Sequence, residues 1–135
     1  MKSHMRAVQP DGWPTPKGYA NGIAAAGEVL FVAGQVGWNA SEQIVSEDFV
    51  AQFDQALANV LAVVAAAGGA PEDIARMTVF VTDVESYRSR TREIGQAWRS
   101  RMGKTFPAMA LVGVAALVEL GAKVEIEATA VLPAR

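Results

Sequence analysis

From Lys123 to Leu132 the chain alternates: Val124, Ile126, Ala128 and Ala130 fall at one parity, Glu125, Glu127 and Thr129 at the other. Successive side chains of a strand point to opposite faces, so this segment is a strand with one core face and one polar face. Just upstream, Pro107 to Ala116 is apolar at both parities. Both segments are apolar enough to lie centrally in a sheet. A chain built on two such strands must fold around a sheet and find cover for both of its faces.

The rest of the chain supplies cover for one face. Phe49, Phe53, Leu57, Val60 and Val64 recur at three- and four-residue intervals, which predicts a helix with one buried stripe. Ser46 is the expected N-cap, with Glu47 and Asp48 adding favourable charge to the first turn. Gly68-Gly69 and then Pro71 end it. Asp83 is expected to cap a second helix running to about Met102, with Tyr87, Ile94 and Trp98 inward and Gly103 at its end. Between the helices, Ile74 to Thr82 reads as a strand with Met77, Val79 and Val81 on one side. Ile23–Ala26 and Val29–Ala33 flank Gly27-Glu28 and read as a hairpin. Gly34 to Asn39 reads as a loop, and residues 7–18, rich in proline and glycine, as an irregular arm.

The order β-β-α-β-α-β-β predicts an α+β fold, a mixed sheet with two helices packed on one face. Ala108, Ala110, Val112 and Val114 cannot all be buried by those two helices. The bare face is therefore expected to be buried by self-association.

At 135 residues this is the length of one domain. Residues 1–4 of Met1-Lys2-Ser3-His4-Met5 read as a vector-derived remnant ahead of a native start at Met5, leaving 5–135 as the domain. Cysteine is absent and His4 is the single histidine, so thiolate chemistry, a Ser-His-Asp triad and histidine zinc sites are excluded from 5–135. No metal or cofactor is expected. Proton transfer falls to carboxylates, tyrosine, lysine or an ordered water. No apolar run approaches the roughly 20 residues of a membrane helix, no signal-type segment opens the chain, and a cytoplasmic location is the expectation. Arg88, Arg90, Arg92, Arg99, Arg101 and Lys104 are half of its 12 lysines and arginines, but they are spread around the helix and the net charge is −2. They read as a solvated face, not as a nucleic-acid stripe.

Several short segments appear together in one order: Gly18-Tyr19, Val32-Ala33-Gly34-Gln35, Ala56-Leu57-Ala58-Asn59-Val60, Thr78 to Asp83, Thr105-Phe106-Pro107-Ala108 and Glu125-Ile126-Glu127-Ala128. Together they resemble the RidA/YjgF family of enamine/imine deaminases, also labelled L-PSP endoribonucleases, from about Gly18 to Leu132. The resemblance implies a chorismate-mutase-like subunit, a homotrimer, and a small-molecule ligand bound in clefts between subunits. It also implies catalysis by Glu127, which would position a water with a backbone carbonyl near Leu111, and a pocket lined by Tyr19. The family position that binds the substrate carboxylate is usually arginine; here it is Met109.

Arginine offers a bidentate fork for a carboxylate, and methionine offers neither charge nor donor. Two readings follow. Arg92 could take over the carboxylate, or the ligand is more apolar, in which case Trp38 and Met109 would suit an aromatic or acyl group. Function is thus expected to be hydrolysis or binding of a small reactive metabolite other than the usual amino-acid-derived imine. A non-catalytic metabolite-binding trimer is the alternative, and an RNA-directed role the weakest one.

Overall fold

The computed structural model describes residues 2–134. Its strands are β1 (Met5–Val8), β2 (Gly22–Ala25), β3 (Glu28–Val36), β4 (Ile74–Val81), β5 (Ala108–Gly113) and β6 (Val124–Leu132); its helices are α1 (Phe49–Ala66), α2 (Val84–Arg88) and α3 (Thr91–Met102). A mixed four-stranded sheet has the order β3-β6-β4-β5, with β4 and β5 parallel and the other neighbours antiparallel. β1 and β2 pair separately. The α+β architecture with its two main helices on one face of a mixed sheet is as the sequence predicts.

The core is the sandwich between that face and α1. Phe53, Leu57, Val60 and Val64 of the helix meet Met77, Val79, Ile126 and Ala130 of the sheet, all buried. By length and composition α1 could cross a membrane, with a mean hydropathy of 1.5 over 18 residues. Its stripe is spent on the sheet instead, which is how a core helix of this type is made.

Several local expectations are corrected. No hairpin joins residues 23–26 to 29–33: β2 pairs with β1, and β3 pairs with β6. The two segments part at Gly27, which has φ +150° and no room for a Cβ, since one would lie 1.8 Å from the Leu132 carbonyl oxygen. The arm expected over 7–18 begins with the last two residues of β1. The loop expected from Gly34 is still strand as far as Val36, because β3 absorbs an irregularity there and resumes pairing.

The cap of α1 is Asp48, not Ser46. Its carboxylate accepts from Ala51 N at 3.0 Å, while Ser46 Oγ accepts from Asp48 N and forms the preceding turn. Asp83 does cap a helix, accepting from Glu85 N, but that helix ends at Arg88. Arg90 is drawn aside to Asp48 and Glu93, and α3 starts afresh at Thr91. Of the two last strands only β6 is central; β5 is an edge.

Arg101 of α3 reaches Asp54 of α1 through two hydrogen bonds, at 2.7 and 2.9 Å. Those bonds hold the Asp54 carboxyl below its ordinary value of 3.8. A carboxyl depressed on folding stabilises above its unfolded pKa, and that stability is lost as pH falls through the folded value. Both side chains are over a third exposed, so screening keeps the contribution near about 0.5 kcal/mol. Urea unfolding should show Arg101→Met less stable than wild type by about that amount at neutral pH. The gap should close once both states have Asp54 protonated, well below pH 3.8.

Lys2 and His4 are engaged with the body of the fold. Lys2 Nζ lies 3.0 Å and His4 Nε2 3.2 Å from the carboxylate of Asp73, whose side chain is 1% exposed. His4 Nε2 is also 2.7 Å from the Val131 carbonyl, which can only accept, so that nitrogen carries the proton.

Candidate functional site

The Phe106-Pro107 segment is fixed before the strand it leads into. Trp98 Nε1 donates to the Thr105 carbonyl at 3.1 Å, and the Trp98 and Phe106 rings stack, centroids 6.2 Å apart and 8° from parallel. Pro107 is buried, and its carbonyl accepts from Ala20 N at 3.0 Å. That bond continues as a parallel bridge between Ala20 and Ala108, and Gly18 turns the arm with φ +77°. Tyr19 is thereby set beside the start of β5.

The register then decides what faces Tyr19. Met109 pairs with Met77 and Leu111 with Val79, so both lie on the helix side of the sheet. Met109, Leu111 and Tyr19 line one cleft of about 470 Å³, walled by Ile94, Trp98 and Phe106. Tyr87 and Thr91 bring hydroxyls, while Lys17, Arg99 and Lys104 bring positive charge. No aspartate or glutamate is among its lining residues. An adjoining depression of about 280 Å³ shares Tyr19, Lys104 and Phe106 and holds Glu72.

Glu127 is not in this cleft. It pairs with Thr78, at the parity opposite to Met77 and Val79, and is exposed on the sheet's bare face. Opposite it, β3 carries a bulge: Val32 pairs with Ala128 and Gln35 with Ile126, leaving Ala33 and Gly34 against the single Glu127. Such bulges re-aim side chains and occur next to functional sites. The Glu125 carboxylate lies over Gly34, where a Cβ would come within 2.4 Å of its oxygen. The bare backbone of Gly34 leaves the Glu125 side chain room to fold across β3 there.

Trp38 is half-buried in a loop closed by its bridge to Ile44, held by Asn59 donating to the Val36 and Trp38 carbonyls. It does not line the cleft. Arg92 is exposed on α3 and does not line it either; Arg99 does. The structure thus brings together Tyr19, Met109 and Leu111 and separates them from Glu127, Trp38 and Arg92. The sequence reading missed Gly95, Arg99 and Lys104. A glycine in the middle of a helix, where it costs about 0.5–1 kcal/mol, was the available signal. Among the other arginines of this region, Arg88, Arg90 and Arg101 are ion-paired with Glu85, Asp48 and Asp54, the solvated face expected of them.

This fold, closed by a Phe-Pro-Ala segment beside an aromatic cleft, is that of the RidA/YjgF family. The chain belongs to it, matching the family model described as Endoribonuclease L-PSP over residues 13–132. It is 37% identical over 113 residues to a 2-iminobutanoate/2-iminopropanoate deaminase of Salmonella typhimurium, covering 84% of this chain and 86% of that one. A RutC family protein of Aquifex aeolicus is 33% identical, with 94% and 99% covered. A Yersinia pestis protein of unknown function in the conserved Rid family superposes with a TM-score of 0.84 at 32% identity, covering 96% and 99%. The fold class is therefore chorismate-mutase-like α+β.

Proposed function

We propose that the protein is a RidA-type hydrolase of a reactive enamine or imine whose body is more apolar than 2-iminopropanoate and 2-iminobutanoate, the imino acids named for its relatives. Met109 carries the reading. It stands in the cleft beside Tyr19 and Leu111, where a carboxylate-binding arginine is the family expectation. A methionine there favours aromatic or acyl groups over a small anion. Released ammonia measured over a panel of enzymatically generated imines, aromatic ones included, tests it. No turnover of any aromatic or acyl imine would refute it. A second reading, a metabolite-binding assembly without catalysis, draws on the same Met109. Loss of turnover in Glu127→Gln with assembly intact would dispose of that one.

The working unit is a homotrimer. Within one chain Glu127 and Met109 lie on opposite faces of the sheet, so a site that joins them needs the Glu127 of a second copy. The bare face also carries apolar groups that want cover: Phe31 is 79% exposed, Val29 is exposed on the same strand, and Val112 is exposed on the opposite edge strand. A buried Phe contributes about 1.5–3 kcal/mol relative to an exposed one. Phe31→Glu should turn a trimer into monomers by light scattering while far-UV circular dichroism stays unchanged. Wild type running as a monomer at micromolar concentration would overturn the assembly.

A further inference from the structure

We propose that the anion-recognising charge of this cleft stands at its mouth, on Lys17, Arg99 and Lys104, which makes it a site for a single-ring aryl or medium acyl carboxylate. The proposal rests on reading this cleft as the ligand site, and it names the ligand's chemistry.

Volume sets the scale. Ligand clefts run from about 300 to 1,000 Å³, and 470 Å³ suits one aromatic ring with a short polar tail. The inner wall is apolar: Ile94, Trp98, Phe106 and Met109. Phe106, exposed and backed by the buried Trp98 ring stacked on it, offers a flat surface on which a ring can lie. Space for the ligand body comes from α3, where Ile94, Gly95, Trp98 and Arg99 fall on one helix face and Gly95 has no side chain. A Cβ at Gly95 would meet nothing within 4 Å except Arg99 Nη1 at 3.3 Å, so that space is open.

Charge sets the polarity. Lys17, Arg99 and Lys104 are exposed, and none is in an ion pair among the described residues. With no carboxylate in the lining, the mouth is positive on a chain whose net charge is −2. An apolar floor under three cations fits an amphipathic monoanion held head outward. A small imino acid placed on the floor would leave its carboxylate against Met109, which offers it no charge or donor. A longer molecule reaches the cations at the mouth.

Phenylpyruvate, the carbonyl compound that hydrolysis of an aryl imino acid would leave, serves as the probe. Its binding is followed by tryptophan fluorescence and by amide shift changes in ¹⁵N-labelled protein. Binding requires no turnover, so the outcome is independent of whether the protein is a hydrolase. Phenylpyruvate should bind at least about tenfold more tightly than pyruvate and than the uncharged phenylacetamide, with shifts at Gly95 and Trp98. Arg99→Gln and Lys104→Gln should each weaken it about tenfold. Gly95→Leu should abolish binding without lowering thermal stability, since leucine is a better helix former than glycine. Equal affinity for pyruvate, indifference to both glutamine variants, or shifts that map elsewhere would overturn the proposal.

Discussion

Replacing Gln52 with leucine is expected to lower unfolding free energy by about 3–5 kcal/mol, because three polar groups lose their partner at once. Gln52 is fully buried in the first turns of α1. Its amide nitrogen donates to the Ser46 carbonyl at 2.8 Å and the Gly121 carbonyl at 3.0 Å, and its oxygen accepts from Lys123 N at 2.8 Å. Leucine has nearly the same volume and answers none of these. Gly37 packs so tightly behind it that a Cβ there would lie 2.6 Å from Gln52 Cα, so the backbone has little room to bring in water. Domains of this kind hold about 5–15 kcal/mol in all, which makes the loss a large share of the total. Gln55→Leu is the contrast: that side chain makes one bond, to Asn59 Oδ1 at 2.9 Å, and should cost about 1 kcal/mol or less. Chemical denaturation of both variants checks the pair. A Gln52→Leu loss under about 1 kcal/mol would mean the start of β6 is set by something other than this side chain.

The second large effect is a change of substrate. Met109→Arg should raise kcat/KM for 2-iminobutanoate by about 30-fold or more. An unpaired carboxylate in a desolvated cleft costs on the order of 2–5 kcal/mol, which corresponds to roughly 30- to 4000-fold in binding. The new guanidinium would stand half-buried beside Tyr19 and Leu111 and form a bidentate pair with a small substrate. It would also occupy the floor that an aryl group needs, so activity toward aromatic imines should fall in the same variant. Ammonia release from the two substrate types, measured side by side, decides it. A variant that gains nothing on the small imine would show that Met109 is not what selects against it.

These two positions mark what could and could not be read from the residues. The stripe on α1, the inward set of β4 and the alternation of β6 are periodic, and period decides which face is buried. Met109, Leu111 and Tyr19 meet along one cleft because one segment, Phe106-Pro107-Ala108, carries both the strand start and the bridge to Ala20. Gln52 sits between Phe49 and Phe53 and looks like a polar interruption; its three partners are remote backbone atoms that no pattern announces. The break at Ser89-Arg90 depends on Asp48, forty-two residues earlier in the chain. Strand neighbours were hardest, since β3 leaves β2 at Gly27, where only the lack of a Cβ lets the backbone pass close to Leu132 at the other end of the chain. Long-range pairing and tight backbone approach leave no local trace.

The central position of β6 has a consequence for how the chain reaches its fold. Glu28 pairs with Leu132 and Ile74 with Ala130, so the strand made last is the one that both earlier strands require. Until residues 124–132 leave the ribosome, β3 and β4 have open edges, and the stripe of α1 has only part of its sheet. Loop closure over the whole chain must precede the reward, which slows folding and leaves strand edges free to find the wrong partner. Any change that delays or frays the nine residues of β6 therefore threatens yield before it threatens activity.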